Sequence, residues 1–198
     1  MKIFFKLVLV FLILGIVGMI AQFFYNLPYH SYNTFRYYTL YGGGERCIKK
    51  LEEQTKDFVS LGSFERGHCR VKNAVRISSF NNTELSGDLT LSCPTAVKVG
   101  KYFNEIGAKN IEHMGSYNCR TIAKSKIMSE HSYGTAIDIS KINGASVKLD
   151  WNKENEKGEI LSNAFKVACK YFSNVLTPDS DRAHHDHFHL DNGYGNTC

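Results

Sequence analysis

Two short segments, residues 129–138 and 184–191, constrain this chain most, because their chemistry requires a fold that sets them side by side. The first reads Ser129-Glu130-His131-Ser132-Tyr133-Gly134-Thr135-Ala136-Ile137-Asp138, the second His184-His185-Asp186-His187-Phe188-His189-Leu190-Asp191. Together they hold five of the eight histidines. Histidine is the commonest metal ligand, and clustered beside aspartates it reads as a zinc site.

Periodicity says how the segments present their side chains. From Thr135 to Ser140, Ile137 and Ile139 point one way while Ala136 and Asp138 point the other, as on a half-buried strand, so Asp138 faces a cavity. His131 falls on the turn before it, where Gly134 allows a conformation or close approach that a side chain would block. In the second segment the same period sets His185, His187, His189 and Asp191 on one face, opposite Phe188 and Leu190. His131, Asp138 and one histidine of the pair His187 and His189 supply three zinc ligands. The fourth position is left to water, which is the mark of a catalytic rather than a structural zinc. The remaining histidine is close enough to move protons. Spacing leaves open which histidine does which, and a buried His131–Asp138 polar pair is the bland alternative.

The rest of the chain outlines a single α+β domain over 45–198, with an antiparallel sheet flanked by helices and carrying the single zinc site. A helix runs from Cys47 through Phe58 toward Leu61-Gly62. Cys69 to Phe80 alternates as a strand. Ser92 caps a helix with Pro94 in its first turn that stops at Gly107. Ile111 to Ile122 and Thr135 to Ile142 are strands, Gly158 to Phe172 is a helix, and Val175-Leu176 and the histidine segment are strands.

Before this domain, residues 1–24 open with Lys2 and Lys6 and run uncharged from Leu7 to Ile20. That length suits one transmembrane helix, or a signal segment, although Gly18-Met19-Ile20-Ala21 is a poor cleavage site. The lysines hold the N-terminus inside and place the remainder outside the cytoplasm. Residues 25–44 form an aromatic linker ending in Gly42-Gly43-Gly44. All six cysteines, Cys47, Cys69, Cys93, Cys119, Cys169 and Cys198, lie beyond the apolar run, and an even number in an exported chain implies disulfides. Sequential pairing, Cys47 with Cys69, Cys93 with Cys119 and Cys169 with Cys198, closes each loop between neighbouring elements. The formal charge of +5 falls to +3 without Lys2 and Lys6, and no basic stripe points to nucleic acid.

The pattern Ser-x-His-x-x-Gly-x-Ala-x-Asp at 129–138, followed by Asp-His-Phe-His-x-Asp at 186–191, resembles the extensin-like C-terminal domain family of bacteria. That family is similar to the zinc peptidases grouping lysostaphin-type enzymes, D-Ala-D-Ala peptidases and the hedgehog signalling domain. The resemblance implies that His131, Asp138 and His189 are the ligands and His187 the catalytic histidine. It also draws in Tyr117-Asn118-Cys119-Arg120, with Arg120 stabilising a developing oxyanion. The Glu-x-x-His arrangement that several relatives use for the general base is absent here. Ser129, His184 and Asp186 are candidates for orienting the ligands from behind, and Asp191 is another such partner or loop surface. The implied activity is a zinc metallohydrolase held at the bacterial inner membrane with its domain in the periplasm, a peptidase cutting peptidoglycan peptides. The alternative is a zinc-stabilised wall-binding module without turnover, as in the hedgehog branch.

Overall fold

The computed structural model describes residue 6, residues 10–20 and residues 44–198. The chain divides into two units, Met1–Arg36 and Tyr37–Cys198. In the first, residues 10–20 are helical and exposed. The expected transmembrane helix is corrected here: among the described residues no helix is long and apolar enough to cross a membrane. At 1.5 Å per residue, residues 10–20 reach about 16 Å against a hydrocarbon core of about 30 Å. The rest of the expected anchor and the aromatic linker, up to Gly43, lie outside the described residues.

The second unit orders its elements as α1 (Gly44–Glu52), β1 (Phe58–Arg66), β2 (Cys69–Phe80), β3 (Thr83–Ser92), α2 (Cys93–Glu105), β4 (Asn110–Gly115), β5 (Ala136–Ile142), β6 (Ala145–Ser146), α3 (Val147–Asp150), α4 (Glu156–Tyr171), β7 (Asn174–Leu176) and β8 (Phe188–Asp191). Short 3-10 turns at Glu130–Tyr133 and Arg182–His184 precede β5 and β8. The eight strands form one sheet in the order β1-β2-β3-β4-β5-β8-β7, with β6 beside β5.

The sheet is mixed, which corrects the antiparallel expectation. β3 and β4 pair in parallel through Glu84 with Asn110 and Leu85 with Ile111. Helix α2 carries the chain back over the sheet between them, the crossover that parallel neighbours require. The helix itself follows the sequence: Ser92 is its cap, a proline sits in its first turn, and Gly107 at φ +62° ends it. β3 was not expected. Its Leu89 and Leu91 are fully buried, but Ser86, Gly87 and Asp88 before them and Thr90 between them hide the strand.

The first expected helix also stops early. Thr55 turns the chain by donating its hydroxyl to the Ser79 carbonyl at 2.7 Å and accepting from the Asp57 amide at 2.9 Å. Phe58 onward then pairs as edge strand β1. The strand expected from Ile111 to Ile122 ends at Gly115, and β8 begins only at Phe188.

Helices α1, α2 and α4 share one apolar core with one face of the sheet. Val75, Ile77, Leu89, Leu91, Ile111, Ile137, Ile139, Phe188 and Leu190 meet Leu51, Tyr102, Phe103, Leu161 and Ala164 there. Trp151 joins from the side, edge-on to Phe165 and Phe188. Gly100 lets α2 press close, since a Cβ there would lie 2.8 Å from Gln54 Cβ and 2.9 Å from Phe80.

Three disulfides, Cys47–Cys93, Cys69–Cys119 and Cys169–Cys198, and not the zinc site that the expected fold was to carry, are what the structure shows cross-linking the fold. The third pairing follows the sequential expectation and the first two do not. Cys47 meets Cys93 because α1 packs against α2. Cys69, at the start of β2, meets Cys119 on the loop after β4. Their sequence separations of 46, 50 and 29 correspond to about 3.5–4 kcal/mol each in the chain-entropy account.

Candidate metal centre

The site lies where β5 and β8 pair. Asp138 is directly opposite His189 and Ile139 opposite Phe188, so the alternation that buries the apolar residues turns the polar ones to the other face. His131 reaches the same face from the 3-10 turn before β5. Ser129 caps that turn, its hydroxyl accepting from the His131 amide at 3.4 Å. Gly134 closes the turn at φ +64° and touches the sheet, where a Cβ would lie 2.9 Å from the Ser92 nitrogen and Val71 Cγ1. Both requirements exclude a larger residue.

His131 Nε2 is 3.1 Å from Asp138 Oδ2 and 3.2 Å from His189 Nδ1, and His189 Nδ1 is 2.8 Å from Asp138 Oδ1. One ligand atom from each residue lies within 4.8 Å of the others. The opposite ring nitrogens are committed outward. His131 Nδ1 donates to the Ser116 carbonyl, which can only accept, so Nε2 is the nitrogen that faces the cluster. His189 Nε2 donates to Asp191 Oδ2 at 2.8 Å, so Nδ1 faces the cluster. Fixing the outer N–H on a carbonyl or carboxylate is how proteins set the tautomer of a ligating histidine.

The donor set fits zinc. Two imidazole nitrogens and a carboxylate oxygen suit its borderline-soft character. In a tetrahedral site with bonds of about 2.0–2.1 Å, ligand atoms stand about 3.3 Å apart, close to the separations here. Three protein ligands leave one position open.

Electrostatics support one shared cation. Burial opposes charge on His189, but its hydrogen bonds to Asp138 and Asp191 outweigh it and push its pKa up to about 9. Burial likewise opposes ionisation of Asp138, and the bonds from His131 and His189 overcome it, holding its carboxyl far below the usual range. Two carboxylates therefore face one buried imidazole, an arrangement that attracts positive charge.

His187 stands beside this trio, 8% exposed, its Nε2 3.7 Å from Asp138 Oδ1. Its Nδ1 donates to Asp186 Oδ1 at 2.9 Å, which leaves Nε2 as a base pointing at the site. The pair is a histidine base with an orienting carboxylate. His184, in the 3-10 turn, donates from Nδ1 to Asp181 Oδ1 at 2.8 Å and packs its ring 5.3 Å from His187 and 5.5 Å from His189. Burial holds its pKa below the ordinary histidine value. His185 is exposed and turned away, its Nδ1 on the Arg182 carbonyl at 3.1 Å.

Arg120 is tied to the site by its backbone. Its amide donates to Ser132 Oγ at 3.1 Å and its carbonyl accepts from the Ser129 amide at 3.1 Å. Its side chain is exposed and makes no hydrogen bond or ion pair among the described residues. The structure thus gathers His131, Asp138, His189, His187, Asp186 and His184, with Ser129 behind the turn, and leaves the Arg120 guanidinium at the border.

Asp191, a candidate from its place two residues along the same strand face, takes His189 on one oxygen. Sequence reasoning left two supporting groups out of the site. Asp181 holds His184 from three residues before it. The Ser116 carbonyl is main chain and carries no sequence signal.

Residues 45–198 match the family described as Extensin-like protein C-terminus. No curated protein and no solved structure matches the chain.

Proposed function

We propose, for a chain that belongs to the extensin-like protein C-terminus family, that its domain over residues 45–198 is a zinc-dependent hydrolase acting on peptide bonds of peptidoglycan outside the cytoplasm. The observation that carries this reading is the convergence of His131, Asp138 and His189 within 4.8 Å, with the outer nitrogens of both histidines already held. These three residues would hold the ion. Zinc, when bound, supplies Lewis acidity toward a carbonyl oxygen and acidity to water at its open position.

The chain's own groups do the remainder. His187 accepts a proton at Nε2, because Nδ1–H is kept on Asp186, and returns it to the leaving amine. Asp186 stabilises the imidazolium formed in between, as His187 lowers its carboxyl pKa through the same bond. Arg120, exposed on the bordering loop, is the cation proposed for the developing oxyanion. The resemblance proposed to the lysostaphin and D-Ala-D-Ala peptidase group would supply the substrate class, and three disulfides suit an oxidising compartment.

Mass spectrometry of peptidoglycan fragments incubated with the full chain, with and without a chelator, tests this. Zinc-dependent products identify the bond cut by their mass. A folded, zinc-loaded protein that releases nothing from several fragment types overturns the hydrolase and leaves a wall-binding module.

A further inference from the structure

Resting on that reading and deepening it, we propose that residues 192–198, clamped to α4 by Cys169–Cys198, position the metal centre by fixing Asn174 and, through it, the Asp191 carboxylate that orients His189.

Each link is short and buried. Asn174 and Asp191 are direct partners in the β7–β8 pairing, 8% and 6% exposed. Asp191 accepts from His189 Nε2 on Oδ2 at 2.8 Å, and on Oδ1 from Asn174 Nδ2 at 2.7 Å and the Gly193 amide at 2.6 Å. Both oxygens are therefore occupied and the carboxylate plane is set. The Asn174 amide is held in turn at both ends by the last segment. Its Oδ1 accepts from Thr197 Oγ1 at 3.2 Å, and its Nδ2 also reaches the Tyr194 carbonyl at 3.3 Å.

The segment is seated like an added strand beside β7. Thr197 donates its amide to the Ser173 carbonyl at 3.2 Å and accepts from the Val175 amide at 3.3 Å. Its backbone presses on the two side chains it holds. A Cβ on Gly193 would lie 2.8 Å from Asp191 Oδ1, and one on Gly195, at φ +139°, would lie 2.1 Å from Asn174 Oδ1. The disulfide at Cys198, directly after Thr197, fixes the far end to α4. A segment that only stapled the fold would not need glycines against these particular side chains, nor an amide with both ends committed.

The test is zinc affinity of the full chain, measured by competition with a chromophoric chelator, with the cobalt(II) absorption spectrum as a second readout of ligand geometry. Asn174→Ala is expected to weaken zinc binding about 10–100-fold and to alter the cobalt spectrum, while circular dichroism reports an intact fold. Thr197→Val is expected to weaken it by a smaller factor, and Thr197→Ser to restore it. The double variant Cys169→Ser with Cys198→Ser follows Asn174→Ala in direction. If the natural chain binds zinc and folded Asn174→Ala binds it equally well with an unchanged spectrum, the positioning role is overturned and the segment is a staple. If the natural chain itself binds no zinc, the underlying hydrolase reading fails, and this inference with it.

Discussion

On β5 and β8, Ile137, Ile139, Phe188 and Leu190 turn toward the helices and are fully buried, while Asp138, His189 and Asp191 alternate with them on the other face, beside His187 on the turn just before β8. The two faces share one backbone and one register, yet they are built by different rules. On the helix side any apolar group of the right volume serves, because burial is non-directional. On the other side each polar group needs a named partner: His189 has Asp191, His187 has Asp186, and His131 has the Ser116 carbonyl. A slip of one residue would exchange the faces, so the apolar core also fixes the chemistry by fixing the register.

The comparison can be broken from either side. The largest effect is expected on the helix face: Phe188→Ala removes a fully buried ring and should cost about 3–5 kcal/mol of stability, read by chemical denaturation. An unchanged midpoint would mean that the core does not hold β8 in place. On the other face, His187→Ala should lower the proposed peptidoglycan turnover at least about 100-fold while leaving the fold and zinc affinity nearly unchanged. Loss of zinc binding in that variant would make His187 a ligand rather than a base.

A pH titration sharpens the difference without mutation. In chelator-treated protein His189 has its pKa raised to about 9 by Asp138 and Asp191 against the effect of burial. A histidine raised above its unfolded value of about 6.5 contributes stability fully below that pH. That contribution is lost as pH rises through about 9. Asp138, lowered instead, contributes above its unfolded value of about 3.9 and is lost only as pH falls through its folded value. Zinc at the proposed centre would replace a proton on His189, so its affinity should rise with pH over the same alkaline window. A metal-free protein with flat stability from pH about 6.5 to 9 would contradict the shared-cation arrangement.

The smallest effect belongs to neither face. The exposed ion pair of Lys141 with Glu112, at 2.8 Å, should be worth no more than about 1 kcal/mol, so Lys141→Ala should barely move the denaturation midpoint.

What was legible in the sequence follows the same division. Regular alternation and capping showed β2, α2, β5 and the body of α4, because those signals are local to Val71 and Ile77, Ser92 and Pro94, or Ile137 and Ile139. The candidate ligands could be named because histidines and aspartates are chemically distinctive and their spacing matched a strand. The mixed sheet was not legible, since β3 presents Leu89 and Leu91 among polar residues and its parallel pairing depends on where α2 returns the chain. Nor were the pairings of Cys47 and Cys69, which follow neighbours in space. Groups that act through the backbone, the Ser116 carbonyl and the Gly193 amide, have no side-chain signature.

The measurement closest to the central claim is a zinc titration of the full chain beside its His131→Ala variant, with bound metal counted after dialysis. The account expects one zinc per natural chain, and a loss of affinity of more than about 100-fold in a variant that keeps its fold. Zinc bound equally by both, or by neither, would contradict a metal centre built from His131, Asp138 and His189.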